Sequence, residues 1–466
     1  MERWILAAAI GASAVLLPAA QAEPLKGEQA ALHVLNRLAY GPRPGDIERV
    51  AQMGVQRYID EQLNPPPLPA ALAQRLDALQ TQKLTAGQAL EEFQEVRAEA
   101  KKDKDEAKDM RRETIGKLSA ETAEARLLRA VESPRQLEEV MVDFWFNHFN
   151  VFQGKGQDRV LISSYERDAI RPHVFGKFRD LLEATAKHPA MLFYLDNWVS
   201  KAGGLNENYA RELMELHTLG VDNGYTQKDV TELARMLTGW TYAPRRLVNR
   251  NETFVFDPKR HDNGQKVWLG LPVKARGEAE GEYALDVLAV HPATARHIST
   301  QLAQYFVADV PPQALVERMA ATWRDTGGDI RAVLRTMFTS PEFMDSAVAG
   351  AKFKTPYQFV VSAARASGAP VTDVKPLLGT LNRLGQPLYG CQTPDGYKNT
   401  QDAWLNPDAL SRRIAFATSL APNTDPQMVQ SALGASVSPR TAAMVASSPD
   451  KLRAAMLLGG PDFMQR

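Results

Sequence analysis

The chain has 466 residues, and its 55 lysines and arginines balance 55 aspartates and glutamates, so the formal net charge is zero. A balanced charge gives no overall field that would attract nucleic acid or an anionic membrane surface, and we expect no nucleic-acid partner. Cys391 is the only cysteine, which excludes an intrachain disulfide.

The first 22 residues are organised like an export signal. Arg3 precedes an almost wholly apolar run over residues 4–18, and Ala20-Gln21-Ala22 places small residues where a signal peptidase requires them. The run is too short for a comfortable membrane span, and no second run approaches the roughly 20 residues of a spanning helix. We therefore expect cleavage after Ala22, no transmembrane anchor in the mature chain, and a periplasmic or extracellular location. A retained anchor or a buried helix is the alternative.

Helix-forming patterns dominate residues 23–466. A capping box is expected where Thr226 precedes Asp229 by three residues. The sequence predicts a mainly α-helical fold, which we interpret as one large irregular multi-helix domain, although the length also permits two or three domains. Apolar spacing and helix-ending residues predict helices over 28–38, 44–63, 134–149, 163–171, 175–187, 189–197, 208–219, 226–237, several within 284–343, and 356–367.

Two segments are predicted to extend from this helical domain. Residues 70–132 are rich in strong helix formers and predict a long, charged helical arm. Within it, residues 99–106 carry mixed charges without an apolar stripe, so we expect this part to be solvated and without a functional role. Residues 251–272 carry apolar runs on both sides of Asn263-Gly264, a pair that favours a tight turn. They predict a small β-hairpin insertion with strands near 254–256 and 266–269.

The first group of polar candidates lies in a segment, 143–150, that is apolar around most of the helical wheel, which predicts burial on several sides. Its polar side chains must therefore find partners. His148 projects among aromatic residues and is either a hydrogen-bonded core histidine or a general base or metal ligand. The other polar residues fall along one strip of the helix: Glu139, Asp143, Asn147 and Asn150.

The second group lies within residues 196–217. Glu212 and Glu215 are one helical turn apart, so their carboxylates could share a proton, a cation or an arginine. Arg211 and Glu215 have i,i+4 spacing, which favours a simple ion pair as the alternative. His217 points about 160° away from Glu215 on a regular helix, so the three side chains cannot chelate one ion.

The sequence contains only weak indications of a metal or cofactor site. The side-chain oxygens of Asp196, Asn206 and Asn208 suit calcium, but their spacing is not that of a calcium loop. His261 is a further catalytic candidate because Asp262 could orient its ring, although turn formation is a simpler role for Asp262. The sequence lacks a phosphate loop, a dinucleotide glycine fingerprint and a nucleophile elbow, so the cofactor stays unknown.

Several segments carry a family resemblance, and the longest, over residues 206–220, is the most specific. Together they cover about residues 30 to 420 and resemble the bacterial domain-of-unknown-function family 1800. The segments are 38–43 (LAYGPR), 144–149 (FWFNHF), 194–197 (YLDN), 206–220 (NENYARELMELHTLG), 225–230 (YTQKDV), 261–264 (HDNG) with Lys266 and 269–270, and 394–397 (PDGY) with Trp404.

The resemblance implies an exported helical protein, often encoded beside an exported protein of family 1501, which becomes the expected partner. It implies no established reaction. Cys391 stands where the family more often has a non-thiol residue such as proline. That difference and the lack of a neighbouring histidine favour a buried small apolar residue over a catalytic thiol.

The sequence predicts many buried polar side chains, but their spacing matches no known catalytic motif. This combination favours an exported accessory or binding protein of the cell envelope, with a buried polar site. The rival hypothesis is an exported enzyme, for example a hydrolase that acts on envelope material. In that enzyme Glu212 or Glu215 would be the acid or base, and His148, His217 or His261 would complete the site. It requires these side chains to meet in one cleft.

Overall fold

Glycines and prolines divide the chain into many short helices. The protein is represented by a computed structural model that describes residues 23–242 and 254–466, so the predicted signal segment 1–22 and residues 251–253 of the predicted insertion lie outside it. The described backbone is mainly helical, with two small two-stranded sheets. The predicted α-helical fold with a small β-hairpin is confirmed. No helix in the two described ranges combines the length and apolar character needed to cross a membrane.

The predicted helix over 44–63 is wrong in one respect, because Gly54 has a φ of 91° and divides it in two. The capping box of Thr226 and Asp229 is confirmed at the start of α13. The helices of this half are α1 Gly27–Leu38, α2 Asp46–Met53, α3 Val55–Leu63, α4 Ala70–Asp77, α5 Ala86–Glu99, α6 Lys104–Arg111, α7 Lys117–Glu132, α8 Gln136–His148, α9 Asp158–Ser164, α10 Phe178–Lys187, α11 Pro189–Tyr194, α12 Asn208–Glu215 and α13 Gln227–Met236.

Proline begins many helices of the second half, where its missing N–H and restricted φ suit the first helical position. Consecutive helices pack on one another, as α15 does on α16 and α16 on α17. The helices are α14 Ala279–Val290, α15 Pro292–Phe306, α16 Gln313–Thr326, α17 Ile330–Phe338, α18 Pro356–Ala366, α19 Lys375–Arg383, α20 Gln401–Trp404, α21 Pro407–Leu420, α22 Pro426–Leu433, α23 Pro439–Ser447, α24 Asp450–Gly459 and α25 Pro461–Met464.

The stretch over residues 70–132 is solvated only in part. Residues 100–106 are exposed, as their charges predict. α7, however, packs against α8, α9 and α18, and it buries Leu127 and Leu128 together with Arg126. The last helix of this stretch, α7, therefore carries Arg126 into the interior.

The two predicted strands are present near 254–256 and 266–269, but each pairs with a strand that was not predicted. β1 (Trp240–Thr241) pairs antiparallel with β2 (Val255–Phe256), and β3 (Lys266–Trp268) pairs antiparallel with β4 (Leu271–Val273). The hairpin turn is at Leu269 and Gly270, which both have the positive φ that a two-residue hairpin requires. The prediction that Asn263-Gly264 joins the two strands is therefore wrong.

α8 lies at the centre of the core. Nearly all of its residues are buried, and it contacts α1, α3 and α7. Trp145 is fully buried, and its ring packs against the rings of Phe149 and Phe178. The predicted burial of this helix on several sides is confirmed, and Asp143 and Asn147 on its polar strip line a cavity.

Candidate functional site

A cavity of about 370 Å³, which we call the central cavity, lies beside α8. Its walls come from α8, α15, α18 and the loop 386–400. Phenol, amide, imidazole and carboxylate groups line it together with aromatic faces. The main polar lining residues are Arg126, Asp143, Asn147, His148, Asn150, Gln301, Gln304, Tyr305, Tyr357, Gln358, Tyr389, Asp395, Tyr397 and Lys398.

The polar strip predicted on α8 and the residues just after it forms one wall of this cavity. Asp143, Asn147 and Asn150 all line it. Glu139, one turn earlier, is fully buried and binds both guanidinium N–H groups of Arg171 at 2.7 and 3.0 Å. Spacing of three to four residues places these groups on one side of the helix, and the tertiary fold divides them between a cavity and an ion pair.

Arg126 links three side chains at the base of the cavity. Its Nη2 donates to Asp143 Oδ1 at 2.9 Å, its Nη1 to Glu166 Oε2 at 2.5 Å, and its Nε to the Tyr357 hydroxyl at 3.2 Å. Burial alone lowers the pKa of Arg126, but Glu166 and its other partners raise it well above its ordinary value. Arg126 is therefore a permanent cation held in a fixed direction.

Glu166 connects this group to a second guanidinium. Arg171 Nη2 donates to Glu166 Oε1 at 3.0 Å, and the Tyr389 hydroxyl donates to Oε2 at 2.8 Å. Burial opposes ionisation of Glu166, but Arg126 and Arg171 outweigh it and lower the pKa to about 2. Glu166 is thus an ionised structural anion.

Asp143 behaves differently from Glu166. Burial raises its pKa, and the neighbouring Arg126 offsets this only in part. Its side chain is 22% exposed, and it lines the cavity. Asp143 is therefore the carboxyl group of this network that is open to the cavity and the one best suited to bind or exchange a proton.

Asn147 holds the loop that covers the cavity. Its Nδ2 donates to the Tyr397 carbonyl at 2.9 Å, and the Tyr397 N–H donates to its Oδ1 at 2.7 Å. The loop approaches so closely at Gly396 that an added Cβ would lie 2.3 Å from the Asn147 backbone oxygen. Gly396 and Asn147 together fix the position of Tyr397 at the cavity wall.

His148 and His217 lie near each other, with ring centroids 6.0 Å apart. His148 lines the cavity, and its Nε2 donates to the backbone carbonyl of His217 at 3.1 Å. Burial lowers the pKa of His148 to about 3 and holds that of His217 well below its ordinary value. Both rings are neutral, and the hydrogen-bonded core interpretation fits His148.

Glu212 and Glu215 lie on α12, outside the lining of the central cavity as the described residues define it. Arg211 Nη1 is 3.5 Å from Glu215 Oε1, at the predicted i,i+4 spacing. Burial, followed by repulsion from Glu215, raises the pKa of Glu212. Neither glutamate is among the residues that line the cavity beside His148.

His261 belongs to a separate buried group. Its Nε2 lies 3.3 Å from Glu280 Oε1, and Lys266 Nζ lies 2.8 Å from the other oxygen of that carboxylate. His261 Nδ1 lies 2.9 Å from the Thr238 carbonyl oxygen and therefore donates to it. Asp262 does not orient His261, because it binds Arg235 at 2.8 Å and accepts the N–H of Gly264 in a local turn.

The predicted metal ligands are engaged elsewhere. Lys155 Nζ lies 3.0 Å from Asp196 Oδ2, Asn206 Oδ1 accepts the N–H of Asn208, and Asn208 Nδ2 donates to the Leu195 carbonyl. Within residues 23–242 and 254–466, no group of three His, Cys, Asp or Glu side chains could hold a metal ion. Cys391 is buried, and its carbonyl accepts a hydrogen bond from Asn150.

The sequence interpretation placed Asp143 on the correct strip but did not select it, and it missed Arg126, Glu166 and Tyr357. The sequence did contain one local indication of the site, because Asp143 is a charged residue in a helix that is rich in aromatic residues. No local sequence pattern indicated Arg126 or Glu166. Arg126 lies in α7 and Glu166 in the segment after α9, so the two residues come together only in the folded chain.

The fold and cavity define a mainly α-helical protein with a cavity lined by polar and aromatic side chains. The chain matches the family described as protein of unknown function (DUF1800) over residues 33–465. Since that match spans nearly the whole chain, the chain belongs to this family, as the resemblance predicted. A search of curated proteins and a search of solved structures found no significant match.

Proposed function

We propose that the protein is an exported binding protein of the cell envelope, and that the central cavity holds a small, uncharged, hydroxyl-rich ligand such as a sugar unit. The cavity volume of about 370 Å³ lies within the range of roughly 300–1,000 Å³ that is usual for small-molecule sites. Export is inferred from the N-terminal sequence pattern.

The observation that carries this proposal is the pairing of the charged groups around the cavity. Arg126 binds Asp143 and Glu166, and Lys398 binds Asp395 at 2.7 Å. A charged ligand would have to displace one of these partners. A neutral ligand with hydroxyl groups can instead donate to Asp143 and use the surrounding amides and phenols.

The neutral state of His148 supports the same class of ligand. Because the His217 carbonyl can only accept, His148 Nε2 carries the hydrogen, and Nδ1 is left as an acceptor. The rings of Phe144, Tyr305 and Tyr397 provide apolar surfaces next to these polar groups. Sugars present the same combination of hydroxyl edges and C–H faces.

Calorimetric titration of the mature chain with a panel of neutral mono- and disaccharides tests the proposal. We expect saturable binding of one class, and at least a tenfold loss of affinity in D143N, which keeps the shape of the side chain but removes a charged acceptor. D180N, at an exposed aspartate, is the matched control and should bind normally. Absence of saturable sugar binding, or equal affinity of D143N and wild type, would contradict the proposal.

An envelope partner is a separate part of the proposal. A pull-down from envelope extract with the mature chain should recover a reproducible partner, and the exported protein of family 1501 is the candidate to assay first. A purified pair that shows no association by sedimentation would remove that candidate without affecting the sugar-binding test.

A second candidate function is an exported enzyme, and the raised pKa of Asp143 favours it. A carboxyl group with a raised pKa can exchange a proton with a bound hydroxyl more readily, and so can act as general acid or base. In this case wild type should turn over an envelope polysaccharide, and D143N should bind the same polysaccharide without turnover. The Glu212, Glu215 and His261 candidates are not part of this site.

A further inference from the structure

A second cavity, of about 550 Å³, lies between α1, α18, α22 and the C-terminal residues 461–466. One part of its lining is apolar and the other is basic. The residues that matter here are Leu32, Leu433 and Phe463 on the apolar part, and Lys354 and Arg466 on the basic part.

Lys354 is buried in this lining, and no carboxylate of the described residues forms a salt bridge with it. Its Nζ donates to the Ser362 hydroxyl at 2.9 Å and lies 3.8 Å from the centre of the Phe463 ring. The charged groups that act on it are Arg413 and Arg466, which are cations themselves. Burial, together with these two arginines, lowers the pKa of Lys354 to about 7.

The neighbouring arginines are also short of partners. Arg37, Arg413 and Arg466 are buried, and each has an Nε–H without a hydrogen-bond partner within the described residues. Arg37 and Arg466 affect each other electrostatically, as do Arg466 and Lys354. Lys354 and these three arginines therefore form one group of buried cations, which we call the basic cluster.

Three carboxylates lie nearby, but each has another partner. Asp143, which acts electrostatically on Arg466, binds Arg126 at 2.9 Å. Asp309 forms a salt bridge with Lys352, and its other oxygen accepts the N–H of Gln401. Asp462 lines the cavity, and its Oδ2 accepts the N–H of Ser438 at 2.8 Å. Buried charges are costly unless they are paired, so an anion in this cavity would relieve the repulsion within the basic cluster.

We propose that the second cavity binds an organic anion, with its carboxylate or phosphate group at Lys354 and Arg466 and its aliphatic part against Leu32, Leu433 and Phe463. This site is separate from the sugar site proposed above, since a different cavity and different side chains form it. Arg466 connects the two regions, because its Nη2 donates to the carbonyl of Tyr305, a residue of the central cavity.

Titration of the mature chain with four probes tests the proposal: octanoate, octyl phosphate, inorganic phosphate and octanol. We expect octanoate or octyl phosphate to bind at least tenfold more tightly than octanol and inorganic phosphate. The preference between octanoate and octyl phosphate distinguishes a carboxylate from a phosphate ligand. Equal binding of octanol or of inorganic phosphate would overturn the proposal.

The K354M variant gives the second arm of the test. Methionine keeps most of the apolar volume and removes the charge, so the anion should lose at least tenfold in affinity while the melting temperature without ligand stays equal or rises. K451M, at an exposed lysine, should match wild type in both measurements. Unchanged anion affinity in K354M would overturn the proposal.

Failure of both organic anions to bind wild type would also overturn it. In that case groups of the chain itself, including any carboxylate at residue 466, already neutralise the basic cluster. Sugar binding measured with D143N is independent of this result, so the two proposals fail separately.

Discussion

His148 Nε2 donates to the backbone carbonyl oxygen of His217 at 3.1 Å, so the two histidines are joined through the main chain and not through their rings. His297 makes a similar contact, with its Nε2 3.3 Å from the Leu216 carbonyl oxygen. Both carbonyls follow the end of α12, where the last carbonyl groups of a helix lack partners within the helix. These histidines therefore hold the end of α12 against α8 and α15.

We expect the buried histidines to make the protein sensitive to mild acid. Burial lowers the pKa of His33, His148 and His188 to about 3 in the folded chain, against about 6.5 when unfolded. Between these values only the unfolded chain takes up the protons. The free energy of unfolding should therefore fall as the pH drops from 6.5 toward 3, by up to about 1.4 kcal/mol per pH unit for each histidine.

Urea unfolding between pH 7 and pH 5 measures this dependence. H148Q removes one titrating group and keeps a side-chain N–H that can reach the His217 carbonyl, so its stability should depend less steeply on pH than that of wild type. H173Q, at a half-buried histidine, is the control and should change the slope less. Identical slopes for wild type and H148Q would show that His148 is not held neutral.

Removing a charge from the buried network around Arg126 should lower the free energy of unfolding far more than removing a charge from a surface network. E166Q leaves Arg126 and Arg171 without a shared buried carboxylate, and we expect a loss of about 3–5 kcal/mol in unfolding free energy. E183Q is the matched control, because Glu183 also binds two cations but is 34% exposed. We expect about 0–1 kcal/mol there.

Chemical denaturation of both variants at pH 7 and low salt gives the comparison. Equal losses would mean that the buried network contributes no more than a surface ion pair. A large loss in E166Q should be accompanied by weaker ligand binding, because the base of the central cavity includes Arg126 and Tyr389.

Gly396 should be required for the loop 386–400 to pack against Asn147 at the wall of the central cavity. It has a φ of 67°, and a Cβ there would meet the Asn147 backbone oxygen at 2.3 Å, so G396A combines backbone strain with a collision. Gly270 has a φ of 77° but open space around it, so G270A has the strain alone. We expect G396A to destabilise the protein by about 1–3 kcal/mol more than G270A.

Thermal unfolding and sugar titration of the two variants check this expectation. G396A should also weaken sugar binding, because Tyr397 follows Gly396 and lines the cavity. If both variants lose equal stability and G396A binds sugar normally, the contact with Asn147 does not position the loop.

The helical fold was predictable because its signals are local. The capping residue Thr226 and the apolar spacing after it lie within one helix, and α13 formed as expected. The hairpin was predicted less well. Asn263-Gly264 was favoured by residue preference, but the turn formed at Leu269 and Gly270, where strand pairing between β3 and β4 decided the register.

The site was less predictable because it depends on contacts between distant segments. Arg126 lies 40 positions before Glu166 along the chain, and the Tyr389 hydroxyl that binds the same carboxylate is 223 positions away from it. No spacing rule relates such residues. Glu212 and Glu215 were selected because their spacing is local, and the structure places them outside the central cavity.

Export can be tested by the processing of the precursor. We expect the native N-terminus at Glu23, because small residues at positions 20 and 22 satisfy the requirement of a signal peptidase. Residues 23–25 are hydrogen-bonded to residues 344–346: the Ser346 N–H donates to the Glu23 carbonyl at 3.1 Å, and the Leu25 N–H donates to the Met344 carbonyl at 2.9 Å. Cleavage after Ala22 would leave these contacts intact.

A22W should block cleavage and leave the precursor attached to the membrane by its apolar run. Q21W is the matched control, because the middle position of the Ala20-Gln21-Ala22 pattern is not restricted to small residues, and it should be processed normally. N-terminal sequencing and cell fractionation distinguish the outcomes. A native N-terminus at Met1 in the cytoplasmic fraction would refute export, together with the envelope-directed functions that depend on it.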